Sequence, residues 1–229
     1  MSKYFELSGS WEPKVIGVNN GVCQGNIIWK KFEHKESEKK IMNYFSLKKL
    51  INNGPAIEPI DFEIEYVEAY KGAKMTDFFM FSPALYGISF FVTKKVKDVL
   101  SKFKLPLSAF IPVTIFHGEI KYEYYAFYIP VHYRDDSVDF SKSIFFKGSA
   151  IVGKTFIQFK NAEEYKNFKS QKSAEKIKFN KKFDNTLDLF ETIWGGGYFI
   201  SENLKVAIEE VNITGILIRE PKSPELIFE

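Results

Sequence analysis

Apolar positions recur along this chain in two spacings, and each spacing predicts an element. Ile200, Leu204, Ala207, Ile208 and Val211 fall at i, i+4, i+7, i+8 and i+11, one face of an α-helix, behind the apolar run Gly197-Tyr198-Phe199-Ile200 and with Ser201 at the N-cap position. Val92, Val96, Val99, Leu100 and Phe103 repeat the same five offsets earlier in the chain, behind Phe90-Phe91-Val92 and with Thr93 as the cap. Each helix pattern leads into a strand that a proline is expected to close, Ala109-Phe110-Ile111-Pro112 in the first and Ile216 to Glu220 before Pro221 in the second. Asn212 and Gly215 supply the intervening turn in the later copy. The chain is therefore expected to hold two pseudo-repeated strand-helix-strand units.

The second spacing is strict alternation. Asp61-Phe62-Glu63-Ile64-Glu65-Tyr66 predicts a strand with Asp61, Glu63 and Glu65 on one face and Phe62, Ile64 and Tyr66 on the other. With Glu58 and Glu68 close by, this is the most acidic stretch of the chain. It reads either as the solvated face of a half-buried strand or as an acidic stripe offered to a basic partner, because like charges two residues apart on one face repel unless something opposes them.

Elsewhere, Val15-Ile16-Gly17-Val18 and Ile27-Ile28-Trp29, separated by Asn19-Asn20-Gly21, predict a hairpin or two edge strands. Ile41, Tyr44, Phe45, Leu47 and Leu50 form a helical stripe that Asn52-Asn53-Gly54-Pro55 ends. Val113 to Phe116, a turn at His117-Gly118-Glu119, and Tyr122 to Ile129 predict a hairpin whose Tyr122, Tyr124, Tyr125 and Tyr128 serve either as core or as a stacking platform for bases or sugars. Lys166 to Lys182 reads as a lysine-rich surface helix and connector, and Gly195-Gly196-Gly197 as a sharp reversal.

Gly148-Ser149-Ala150-Ile151-Val152-Gly153-Lys154-Thr155 matches the phosphate-loop pattern G-x-x-x-x-G-K-[ST]. That chemistry needs a helix directly after the loop, whereas Phe156-Ile157-Gln158-Phe159-Lys160 reads as a strand and helical sequence begins only at Asn161, with Glu164 completing a capping box. A β-hairpin turned through Gly153-Lys154 is the expectation; a nucleotide-binding enzyme is the alternative.

Composition narrows the field. Twenty-four Phe and 12 Tyr suit a wide aromatic core beneath sheets. The net charge is only +3, and Arg134 and Arg219 are the two arginines among 32 basic residues, a poor supply for bidentate nucleic-acid contacts. Cys23 is alone, and His34, His117 and His132 lack metal-ligand spacing, so neither a disulfide nor a zinc site is expected. No nucleophile elbow, metalloprotease or dinucleotide pattern occurs, so no catalytic residue and no cofactor is assigned. Met1-Ser2-Lys3-Tyr4-Phe5-Glu6 lacks the apolar core of a signal peptide, so a cytoplasmic location with no membrane contact is expected.

Asp188-Leu189-Phe190, the glycine-rich link, Tyr198 to Lys205, and Ile213-Thr214-Gly215 run in an order that resembles the C-terminal signature of the immunity-eleven superfamily of bacterial polymorphic-toxin systems. Gly87 to Pro112 is similar to the pattern such proteins carry upstream. The likeness spans Asp77 to Pro130 and Asp184 to Pro221, under half the chain, and its residues are fold-determining rather than catalytic. It implies a non-catalytic protein that binds and neutralises a cognate toxin domain. Glu58, Asp61, Glu63, Glu65 and Glu68 are then the candidate toxin interface, with the aromatic hairpin Tyr122 to Tyr128 second; a sugar- or nucleic-acid-binding module is the remaining alternative. The expected fold is α+β, with a mixed, mostly antiparallel sheet in one domain, 1–229, or in two lobes of about 1–135 and 136–229.

Overall fold

Aromatic and β-branched runs punctuated by glycine and proline fold here into many short strands and a few short helices, an α+β architecture. The structure, a computed structural model, describes residues 3–21, 23–46, 57–130, 135–149, 153–191, 198–221 and 224–229. In chain order, β1 (Tyr4–Gly9), α1 (Pro13–Ile16), β2 (Gly25–Ile27), α2 (Ser37–Tyr44), β3 (Ile64–Ala69), β4 (Phe78–Phe79), β5 (Phe81–Ser82) and β6 (Ile88–Val92) lead to α3 (Lys94–Leu100). The hairpin β7 (Ala109–His117) and β8 (Ile120–Tyr128), a second hairpin β9 (Ile144–Ser149) and β10 (Gly153–Ile157), α4 (Ala162–Asn167) and β11 (Ser173–Lys178) follow. The chain ends with β12 (Leu189–Glu191), β13 (Tyr198–Ser201), α5 (Glu202–Glu210), β14 (Ile216–Arg219) and β15 (Glu225–Ile227).

Two compact units emerge, and the chain passes between them more than once. One holds Ser8–His132 with Asn203–Leu217; the other holds Met1–Leu7, Tyr133–Glu202 and Ile218–Glu229. A single cut near 135 therefore describes only one of the crossings. The first unit is built on a seven-stranded mixed sheet in the order β4-β6-β8-β7-β3-β2-β5. Its centre is the long hairpin β7–β8, paired without interruption from Ala109↔Tyr128 to His117↔Ile120. Ile64, Val67, Phe79, Phe91, Ile115 and Ala126 are fully buried in its core, where α2 adds Ile41 and Tyr44. The other unit carries the sheet β10-β9-β11-β15, over a core that includes Phe145, Ile177 and Phe199. A further sheet has the order β12-β13-β1-β14.

Both expected strand-helix-strand units form, β6-α3-β7 and β13-α5-β14, and they share a topology that the sequence pattern only began to show. In each, a short antiparallel strand lies outside the first strand, and a foreign strand lies between the first strand and the last: β4-β6-β8-β7 and β12-β13-β1-β14. Phe78↔Val92 and Phe79↔Phe91 in one correspond to Leu189↔Ile200 and Phe190↔Phe199 in the other. Val96, Val99, Leu100, Leu204 and Ile208 are buried, as the stripes require. Val211 is an exception: α5 ends at Glu210 and leaves that side chain exposed.

Three local expectations are corrected. Val15-Ile16-Gly17-Val18 is no strand. Pro13 sits in the first turn of α1, and Gly17 closes it at φ +81°, where a side chain would also strike the Gly72 carbonyl. Pro112 does not close its strand; β7 runs through it, and the parallel ladder with β3 begins one residue later at Ile64↔Val113, so the missing N–H falls outside that ladder. The lysine-rich stretch is only partly helical, since α4 ends at Asn167 and Ser173–Lys178 forms β11. Leu47, Leu50, Asn52 to Pro55 and Gly195 to Gly197 lie outside the described residues.

Candidate functional site

The acidic stretch folds differently from the flat strand its alternation predicts. Strand β3 begins only at Ile64, so Asp61 and Glu63 precede it, and its pairing with β7 shifts register between Ile64 and Val67. That irregularity adds one residue and reverses the parity. Ile64, Val67 and Ala69 point inward, while Glu65 and Tyr66 are both half-buried. Asp61, Glu63 and Glu65 still come to one groove, the first two exposed and the Glu65 side chain largely buried.

Most of these carboxylates meet partners within the chain. Glu65 is only one-tenth exposed and gathers the turn that starts α2. It accepts hydrogen bonds from the Glu33 amide at 2.6 Å, the His34 amide at 3.3 Å and Ser37 Oγ at 2.7 Å, and it faces His34 Nδ1 at 3.0 Å. Burial by itself would raise the Glu65 pKa, but the bonds from Ser37, His34 and Glu33 outweigh it and hold the carboxyl below its ordinary value. Asp61 pairs with Lys40 at 3.3 Å and Glu68 with Lys31 at 3.3 Å. Lys31 also bonds Tyr66 Oη, whose ring stacks on Phe116. Glu58 is exposed, and its carbonyl accepts a hydrogen bond from Tyr44 Oη at 3.0 Å. Glu63 is exposed and has no ion pair among the described residues.

What these residues build together is a groove. An open cavity of about 750 Å³ lies between the turn that opens α2 and the segment entering β3. Ile60, Phe62 and Pro112 give it an apolar lining, and Glu36, Asp61, Glu63 and Glu65 face Lys35, Lys40 and His34 around it. His34, Ser37 and Pro112 carry no signal in the sequence that would join them to the acidic stretch, because the groove forms only when segments about 30 to 50 residues from that stretch meet it.

The other candidates resolve into structure. Gly148 to Thr155 forms the expected hairpin, with Phe146↔Phe156, Lys147↔Thr155 and Gly148↔Lys154 paired, but Gly153 and Lys154 belong to strand β10 rather than to its turn; residues 150–152 lie outside the described residues. The glycine at 148 is explained by the pairing itself, since at φ +93° a side chain there would strike the Gly153 carbonyl. Lys154 Nζ bonds Glu175 Oε2 at 2.6 Å and lies 4.3 Å from the centre of the Phe146 ring. A strand thus stands where a phosphate loop needs a helix, and Lys154 is turned onto a glutamate.

The tyrosines of β8 divide between the core and the surface. Tyr124 and Tyr128 are buried, and Tyr124 Oη donates to the Thr76 carbonyl at 2.8 Å; only Tyr122 and Tyr125 remain half-buried. Cys23 is buried with its thiol on Tyr70 Oη, and Tyr70 Oη donates to Asn26 Oδ1 at 2.9 Å. Among the described residues no three His, Cys, Asp or Glu side chains gather as a metal site would require, and no helix is long and apolar enough to cross a membrane. His132 and Arg134 lie outside the described residues.

Two side-chain bonds escaped sequence reasoning. Thr93 and Ser201, placed as helix caps, turn their hydroxyls away from the helices: Thr93 Oγ1 donates to Asp77 Oδ1 at 2.9 Å and Ser201 Oγ to Asp188 Oδ1 at 2.6 Å. Their amides donate to the carbonyls of the same two aspartates, at 3.0 and 2.8 Å. The signal was present, since Asp-Phe-Phe and Asp-Leu-Phe each precede a cap residue, but its meaning depends on strand pairing. Neither models of known protein families nor curated proteins provide a match for this chain.

Proposed function

We propose that this chain is a non-catalytic immunity protein that acts in the cytoplasm by binding a cognate toxin domain and blocking its active site or its access to substrate. The observation that carries the reading is the coherence of the residues behind the resemblance. Asp188-Leu189-Phe190, Tyr198 to Ser201 and the α5 stripe are the parts of one structural motif, which recurs at Asp77 to Leu100 with the same aspartate-to-hydroxyl link. Such a pattern marks a scaffold, and a scaffold with an open, charged groove suits partner binding better than it suits chemistry.

The test is protection. The protein encoded by the neighbouring open reading frame is expressed in a bacterial host with and without this chain, and the two purified proteins are titrated by calorimetry. Restored growth together with a complex near one-to-one is the expected outcome. Growth arrest that this chain does not relieve, with no heat of binding, would reject the reading.

A further inference from the structure

The groove between α2 and the entry to β3 offers its charges unequally. Asp61 is engaged by Lys40, and Glu65 is enclosed by the amides and hydroxyl of the α2 turn. Glu36 and Glu63 are exposed on the same groove and meet no cation among the described residues. Lys35 is likewise unpaired there, so four carboxylates face two ammonium groups and one imidazole. Between them, Ile60 and Phe62 are half-buried and Pro112 is exposed, an apolar bed of the kind that accepts the methylene stem of a long cationic side chain.

From this we infer that the groove is the docking site for an arginine-bearing convex segment of the toxin domain, its guanidinium held between Glu36 and Glu63 and its stem on Phe62 and Pro112. Arginine fits better than lysine because its planar fork bonds two carboxylates at once and sheds water more readily. The acids already tied down within the chain shape the groove; the two unpaired ones recognise. This rests on the immunity reading but can fail separately from it.

The experiment uses the full chain and the purified toxin domain from the neighbouring open reading frame, with association followed at low and high salt. Combined Glu36→Lys and Glu63→Lys changes are expected to weaken binding about 10- to 100-fold, mostly through slower association at low salt, without shifting the thermal melt. Lys35→Glu is expected to speed association, and Glu68→Lys, outside the groove, to change affinity by less than about threefold. If the wild type binds and protects while the doubly charge-reversed variant keeps its affinity within about threefold, the groove is not the interface, although the immunity reading stands. Should the wild type neither bind nor protect, both are overturned.

Discussion

Two copies of one motif occur in this chain, and their difference is instructive. In the first, Asp77 leads into β4, β4 pairs with β6, and the strand lying between β6 and β7 is β8, which arrives directly through a hairpin. In the second, Asp188 leads into β12, β12 pairs with β13, and the strand in the equivalent place is β1, from the other end of the chain. The first copy closes on itself locally, whereas the second is completed by a segment almost two hundred residues distant. The same aspartate-to-hydroxyl link opens the helix in both, so the motif tolerates either source of its middle strand. Its identity lies in pairing geometry rather than chain order.

The aspartates are not used alike. Besides Thr93, Asp77 holds the Thr214 amide and hydroxyl, each at 2.9 Å, and pairs with Lys95 at 3.4 Å. It thus hooks the first copy to the turn that follows α5, where the Phe78 amide also donates to the Thr214 carbonyl. Burial would raise the Asp77 pKa, but the donors from Thr214 and Thr93, helped by Lys95, hold it below its ordinary value.

The largest effects should come from the helix stripes. Leu100→Asp and Leu204→Asp each place a carboxylate at a fully buried position, and each should cost more than about 4 kcal/mol and unfold the protein or nearly so. Urea melts that show only one of the two collapsing would break the equivalence of the copies. Next, Asp77→Ala should cost about 2–4 kcal/mol by leaving the Thr214 and Thr93 donors without their acceptor. A loss below about 1 kcal/mol would mean that the hook contributes little.

A third test uses acid. The Asp77 and Glu65 carboxyls sit below their ordinary values of 3.8 and 4.5, so their stabilisation is complete above those values and is lost as pH falls through the lower folded ones. Asp77→Asn and Glu65→Gln should each flatten the acid limb of the stability profile. Glu191, at the end of β12, has the opposite sign: burial raises it to about 7, so its charge increasingly penalises the folded state as pH climbs from 4.5 to about 7. Glu191→Gln should therefore add about 3 kcal/mol at pH values above 7 and almost nothing once the pH falls below the ordinary value of 4.5, which parallel melts would read. The smallest effect belongs to Lys154→Ala, about 0–1 kcal/mol for a partly exposed pair, with calorimetry giving no Mg-nucleotide binding in the wild type. Micromolar affinity that vanished in the variant would restore the enzyme alternative.

Sequence reading reached unequal depths across the molecule. Helical stripes were legible except at Val211, because a helix satisfies its backbone internally and needs only a repeated apolar spacing to turn one face inward. The hairpin at Gly148 to Thr155 was legible for a similar reason, though Gly153 and Lys154 belong to its strand rather than to its turn. The acidic stretch was legible as composition but not as a surface. Nothing in Asp61 to Tyr66 announces a register shift, and nothing in Ser37 announces that it belongs to Glu65.

By itself, then, the chain determined where the two long helical stripes and the main hairpins lie, which face of each of those helices is apolar, and that the fold mixes helix and strand, since all of these follow from spacings within about a dozen residues. Tertiary structure alone decided which strand completes each copy, that Asp77 and Asp188 play matching parts, and which acids remain available at the groove. Those outcomes depend on hydrogen bonds and ion pairs between residues from 13 to nearly 200 positions apart, and their energy is set by burial and geometry that no local pattern encodes.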